Sequence, residues 1–251
     1  MPRLMLTDEH WSKLKPILLG TGVYDKSKLR LTVEGIFFRL RTGCPWRDLP
    51  EEFGKWNSVY KRFNNWSSSG KLELVFRILS REPDLEWEFI DGSIVKAHQH
   101  SSGARKSSQT DSGIGKSVAG NTTKIHLAVD SGGLPIEFKI TGGEVHDVKV
   151  APELIAGLPP SDFIIADRGY DSERVRTQIH RRKSLPIIPR KKNSKKGNDD
   201  IDWGLYKYRH LVENTFARLK HFRAIATRFD KLKRNFEGML WLACAFIWLP
   251  L

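Results

Sequence analysis

Two short apolar runs in the middle of the chain constrain its fold most: residues 86–90 (EWEFI) and 163–166 (FIIA), each followed at once by an aspartate, Asp91 and Asp167. Runs of this length, rich in Phe, Trp and Ile and bounded by polar residues, suit strands rather than helices. Further strand-like runs at 122–129, 134–140 and 185–188 alternate with helical patterns at 148–156 and 172–182, which predicts a mixed α/β core. Ser131, Gly132 and Gly133 between two of these runs predict a hairpin. If 86–90 and 163–166 are neighbours in one sheet, Asp91 and Asp167 meet at the sheet edge where open α/β sheets place their ligands.

The first 80 residues keep a helical period instead. Thr7 is the expected N-cap of a helix carrying Trp11, Leu14 and Leu18 on one face. A second helix over 32–41 stops at Gly43 before Pro45, and a short helical piece over 46–53 stops at Gly54. A third, capped by Asn57 or Ser58, carries Val59, Tyr60, Phe63 and Trp66. The order is that of a helix-turn-helix unit, so the expected division is a small all-α domain over 1–82 and an α/β domain over 83–251. Two polar stretches, 98–121 and 190–200 (RKKNSKKGNDD from Arg190), read as mobile basic loops in the second domain.

Charge narrows the partner. Lys and Arg number 42 against 29 Asp and Glu, a formal net charge of +13. Membrane surface and nucleic acid both fit such an excess, but basic residues interleaved with Trp, Tyr and Phe along helices favour nucleic acid. The N-terminal MPRLMLTDEHW has no signal-peptide apolar stretch, and the apolar MLWLACAFIWLPL near the C-terminus is shorter than the ~20 residues that span a bilayer. A cytoplasmic, nucleoid-associated chain with a buried closing helix and no membrane partner is expected. Cys44 and Cys244 have no ligand-type spacing and are expected to stay reduced.

A third carboxylate comes from the helical pattern over 203–222, where Val212, Phe216 and Leu219 form an apolar stripe. At ~100° per residue, Tyr206, Arg209, Glu213 and Lys220 share the neighbouring arc. Three carboxylates suit hard divalent cations, and a pair of such ions ~4 Å apart stabilises the attacking and leaving oxygens of phosphodiester chemistry. Each carboxylate alone has a plainer reading: Asp91 as a turn residue, Asp167 as a partner of Arg168, Glu213 as an i,i+4 partner of Arg209. His98, His100, His126 and His146 fit core or surface positions better than a zinc site. Asp147 is read as a helix N-cap, with auxiliary ligation as the alternative. Lys61, Arg62, Asn64 and Asn65 are either the DNA-facing side of the third helix or a solvated face, and Trp11, Trp46, Trp56 and Trp66 are read as core of the small domain.

The segment YKYRHLVENTFARLK has the Y-R-E-K spacing of insertion-sequence transposases in Tyr206, Arg209, Glu213 and Lys220. The chain also resembles the insertion-sequence-five family of DDE-type transposases at GCPWRDLP, IDGSIVKAH, TTKIHLAVD, VHDVKVAPEL, ADRGYDS and RAIATRFDK. That resemblance implies an RNase H-like catalytic core, a mixed sheet flanked by helices. It implies Asp91, Asp167 and Glu213 as catalytic, metal-binding residues for two Mg²⁺ or Mn²⁺ ions. It further implies a transposase that binds terminal inverted repeats through its N-terminal helices, cleaves the DNA, joins the 3′-hydroxyl ends to target DNA and works as a synaptic homodimer on double-stranded DNA. Tyr206, Arg209 and Lys220 then contact DNA, with Lys61, Arg62, Asn65, Arg190, Lys191 and Lys192 as further DNA-binding candidates. The interval from Asp167 to Glu213 (213 − 167 = 46) leaves no room for a large inserted domain. A metal-dependent nuclease on the same core, and a catalytically inactive DNA-binding regulator derived from a transposase, are the alternatives.

Overall fold

A computed structural model describes residues 2–102 and 112–251. In chain order the elements are α1 (Asp8–Gly20), α2 (Leu29–Thr42), two 3₁₀ turns (Trp46–Asp48, Glu51–Phe53), α3 (Trp56–Ser68), α4 (Lys71–Leu79), β1 (Trp87–Ala97), α5 (Gln99–Ser102), β2 (Gly115–Ser117), β3 (Gly120–Val129), β4 (Pro135–Gly142), α6 (Asp147–Ala156), β5 (Phe163–Ala166), a 3₁₀ turn (Arg168–Tyr170), α7 (Glu173–Arg181) and β6 (Leu185–Ile187). They are followed by α8 (Trp203–Tyr206), a 3₁₀ turn (Lys207–Arg209), α9 (His210–Lys220), α10 (Arg223–Ala226), β7 (Thr227–Arg228) and α11 (Lys233–Trp248).

The chain forms two compact units: one of residues 1–81, 96–112 and 219–251, the other of residues 82–95 and 113–218. By packing, residues 219–251 join the N-terminal helices. The reason lies in α11, an almost wholly buried helix that packs on α3 and α4 and so joins the N-terminal helices. Phe76 and Trp241 stack with ring centroids 5.0 Å apart in that contact. In the same unit, Thr7 caps α1 as expected, accepting from the His10 amide at 3.1 Å. The second helix begins earlier than the expected residue 32, at Leu29 behind Lys28; it ends at Gly43 in the left-handed conformation, φ 68°. Residues 46–53 form two 3₁₀ turns rather than a helix, since Pro45 and Pro50 each restart the backbone. The third helix starts at Trp56 behind Lys55, ahead of the expected caps Asn57 and Ser58. Trp66 is buried, as expected of small-domain core, whereas Trp56 is 36% exposed.

The α/β unit is built on a sheet in the order β2-β3-β1-β5-β6, with β4 pairing β3. The β3–β4 hairpin is antiparallel, while β5 runs parallel to both β1 and β6. Its turn is closed by Asp130, whose Oδ1 accepts from the Gly132 and Leu134 amides at 3.0 and 2.8 Å, and Gly133 supplies the left-handed φ of 76°. Helices α6 and α7 pack together, burying Val150, Leu154, Val175 and Ile179. This is a mixed sheet with helices, as the sequence pattern predicts. Two strand expectations change: β1 runs on past Asp91 to Ala97, and part of the stretch 98–121 is structured as α5, β2 and the start of β3. Residues 103–111 of that stretch lie outside the described residues. The stretch 190–200 has no helix or strand, but Arg190 ties it together, donating through its guanidinium to the Gly197 carbonyl and Asp200 at 3.0 and 2.8 Å. Among the described residues, no helix is long and apolar enough to cross a membrane.

Candidate active site

The parallel register of β1 and β5 decides where the two aspartates lie. Ile90 pairs with Ala166, so the next residue along each chain is Asp91 and Asp167. Strand β5 stops there, and Asp167 becomes the N-cap of a 3₁₀ turn, its Oδ1 accepting from the Gly169 amide at 2.7 Å. Asp91 continues in β1 and accepts from the Gly92 amide at 2.7 Å. Burial pushes the Asp91 carboxyl above its ordinary value; the Gly92 amide and Arg209 oppose that shift, and the negative charges of Asp167 and Asp147 add to it.

Glu213 is carried by α9, whose orientation is set by one polar and several apolar contacts. Val212 and Phe216 are buried, and the Thr215 hydroxyl donates to the Gly133 carbonyl of the hairpin turn at 2.5 Å. The segment is not one uniform helix as expected: Lys207–Arg209 tightens into a 3₁₀ turn while the backbone stays right-handed. Arg209, at the end of that turn, donates to Asp91 Oδ2 at 3.1 Å and also pairs with Glu213. The structure therefore joins Asp91 and Glu213 through one guanidinium. Desolvation works against the charge on Arg209, but Asp91 and Glu213 outweigh it and hold the group more firmly protonated.

A fourth carboxylate accompanies these, that of Asp147, which is not the helix N-cap favoured from the sequence. Asp147 is the first residue of α6 behind His146. Its side chain turns to β3, with Lys124 Nζ 3.3 Å from Oδ2 and His126 Nδ1 3.2 Å from Oδ1. Desolvation alone would raise its pKa, but His126 and Lys124 reverse the sign and hold it below the ordinary value. A Cβ at position 92 would overlap Asp147 Oδ1, so only glycine lets this carboxylate lie against the backbone beside Asp91. Tyr170 completes the surroundings: it is 1% exposed, its hydroxyl has no hydrogen-bond partner among the described residues, and burial together with Asp147, Asp91 and Asp167 pushes that hydroxyl well above its ordinary value. The signal for Lys124 and His126 was their i,i+2 spacing on β3, which puts both on one face.

Hard carboxylate oxygens are the donor set a divalent cation takes. Among the described residues, however, no three His, Cys, Asp or Glu side chains are grouped to hold one ion. Two of the carboxylates, Asp91 and Glu213, are paired with Arg209.

Residues 89–248 match the family model described as "Transposase DDE domain", and residues 6–76 match "Putative transposase of IS4/5 family". The chain belongs to the DDE transposase family. It is 39% identical to "Putative transposase for insertion sequence element IS6501" of Brucella ovis, over 51% of this chain and 98% of that protein. It is 35% identical to "Putative transposase for insertion sequence element IS402" of Burkholderia cepacia, over 50% and 62% of the two chains. It is 25% identical to "Transposase for insertion sequence element IS1106" of Neisseria meningitidis serogroup B, over 74% and 75%. The transposase is thus an enzyme of a class that uses divalent metal ions.

The remaining expected DNA contacts are distributed over both units. In the α/β unit, Tyr206 packs edge-on against Trp203 at 5.6 Å, and Lys191 and Lys192 are exposed. In the helical unit, Lys61 and Asn65 are exposed on α3, whereas Arg62 is half-buried and donates to Thr32. Lys220 is the last residue of α9 and falls in the helical unit.

Proposed function

We propose that this transposase binds the terminal inverted repeats of its element, cleaves the strands by metal-dependent hydrolysis and joins the 3′-hydroxyl ends to target DNA. The observation that carries the reading is the β1–β5 register, which sets Asp91 beside Asp167 while Arg209 draws Glu213 to Asp91. Asp91, Asp167 and Glu213 would hold two Mg²⁺ or Mn²⁺ ions. When bound, such ions supply charge neutralisation for the attacking and leaving oxygens. Arg209 balances the charges of Asp91 and Glu213, and its guanidinium is of the kind that pairs with a phosphate. His126 and Lys124 keep Asp147 ionised beside Asp91.

The remaining roles follow from charge. Tyr206, Lys220, Arg190, Lys191 and Lys192 are proposed to contact DNA near the cleaved strand, and Lys61 and Asn65 to contact the element end. The net charge of +13 supports a double-stranded DNA partner. Catalysis at two ends calls for a homodimer in the synaptic complex.

Strand transfer separates this reading from a nuclease. Protein, Mg²⁺ and precleaved element ends incubated with supercoiled plasmid should give covalently joined product on a denaturing gel. Plasmid nicking with no joined product would assign the chain to cleavage alone.

A further inference from the structure

The motif ADRGYDS holds a second aspartate, Asp171, that the proposed metal-binding carboxylates do not include. Asp167 opens the 3₁₀ turn of this motif and Asp171 closes it. Within the turn the Asp167 carbonyl accepts from the Tyr170 amide at 3.1 Å, and the Arg168 carbonyl accepts from the Asp171 amide at 3.2 Å. Tyr170 is buried and anchors the turn. The motif thus fixes one carboxylate at each end of a single anchored turn.

Both oxygens of Asp171 are committed. Oδ1 accepts from Arg176 Nε and Nη2 at 3.1 and 2.9 Å, and Oδ2 accepts from the backbone amide of Lys191 at 2.8 Å. Arg176, buried on α7, also donates to the Ile188 carbonyl at 2.6 Å. Asp171 and Arg176 therefore fasten the chain at Ile188 and again at Lys191, where the basic stretch 190–200 begins. Burial pushes the Asp171 carboxyl up, but the Lys191 amide and Arg176 outweigh it and hold it below its ordinary value. Lys191 is fixed on its other side too, since its carbonyl accepts from the Ser194 amide at 2.9 Å. The side chains of Lys191 and Lys192 are exposed and, among the described residues, pair with no carboxylate. Their backbone is thus hydrogen-bonded to the turn that carries Asp167, while their charges are left for another partner.

We propose that Asp171 is a positioning residue: it fixes Lys191 and Lys192 relative to Asp167, so that the two ammonium groups grip phosphates of the strand presented to Asp167. The proposal rests on the reading that these lysines contact DNA. Phosphate contacts set the register and orientation of a nucleic acid without reading its sequence. The tether therefore governs where a strand lies, whatever its bases.

Asp171→Asn tests this, because charge and position predict opposite signs. Removing a negative charge beside a DNA-binding surface strengthens binding if charge alone matters. The asparagine side chain, however, has one acceptor oxygen where the carboxylate has two, and the charge-assisted bond to Arg176 has the stronger claim on it. The Lys191 tether is lost while Arg176 keeps a partner. Fluorescence anisotropy of the full-length protein on a labelled duplex of the element end, below the thermal midpoint of each variant, should show Asp171→Asn bound about fivefold or more weakly. Its salt dependence should be shallower by about one phosphate contact. Lys191→Gln combined with Lys192→Gln should remove about two such contacts, and adding Asp171→Asn to that pair should then change affinity less than about twofold, since residues that act through one another are not additive. Asp171→Glu keeps the charge and displaces the acceptor; it should weaken binding in the same direction, which tests the proposal even where Asp171→Asn does not fold. Binding of either Asp171 variant as tight as wild type or tighter, or a loss that persists undiminished without the two lysines, overturns the proposal. Failure of the underlying reading looks different: the two lysine substitutions then leave affinity and salt dependence unchanged, and the proposal falls with it.

Discussion

Asp91→Asn should abolish strand cleavage, by about a thousandfold or more, without lowering the stability of the fold. The loss is of the size seen when one member of a catalytic group acting as a unit is removed. The unchanged stability follows from the local electrostatics. Asp91 is pushed toward its neutral form by burial and by the neighbouring negative charges of Asp167 and Asp147, so an uncharged amide of the same shape relieves a cost. The carbonyl oxygen of the substituted side chain can still accept from the Gly92 amide, and Arg209 keeps Glu213 as its partner. Cleavage of labelled element ends and urea unfolding of the same preparations measure both halves. Asp91→Asn protein that cuts at the wild-type rate, or that unfolds earlier because Asp91 is a structural ion-pair residue, contradicts the assignment.

Glu88→Gln should make the protein more stable above pH 7, by about 3 kcal/mol at most. Glu88 lies on β1 opposite Ile164, is 0% exposed, and has the Ser161 hydroxyl donating to its Oε2 at 2.9 Å. Its Oε1 has no partner among the described residues. Burial raises its pKa from 4.5 to about 7, against the lowering effects of Ser161 and Arg182. The folded value lies above the unfolded one, so the protonated side chain contributes stability that is complete below pH ~4.5 and is lost as the pH rises through ~7. A shift from 4.5 to about 7 corresponds to ~3 kcal/mol at ~1.36 kcal/mol per pH unit. Glutamine stays neutral throughout, so the difference in urea unfolding free energy, variant minus wild type, should grow between pH 5 and pH 8. A difference that does not change with pH would show that Glu88 keeps its charge when folded.

The strands and helices that were legible in the sequence are those with a strong local signal. The β3–β4 hairpin was readable because Ser131, Gly132 and Gly133 separate two strand-like runs, and α9 because Val212, Phe216 and Leu219 recur at helical spacing. Asp167 was readable as the residue that ends its strand, whereas Asp91 lies within β1, and their pairing depended on β1 and β5 being neighbours, which no local pattern states. Local patterns failed where the determinants are distant in sequence. The joining of α11 to α3 and α4 is set by tertiary packing across more than a hundred residues, which no local pattern states. Asp147 was misread for the same reason: at the start of a helix it satisfies every local rule for a cap, and only Lys124 and His126 on β3 show where its side chain goes.

Metal-dependent catalysis at this centre requires that the three carboxylates take divalent cations in place of the Arg209 contacts. Calorimetric titration of Mn²⁺ into the wild-type protein and into Asp91→Asn, Asp167→Asn and Glu213→Gln, all without DNA, tests this most directly. The prediction is saturable binding to wild type, weakened about tenfold or more by each substitution, as loss of a ligand from a carboxylate site requires. Equal Mn²⁺ affinity in all four proteins would contradict it.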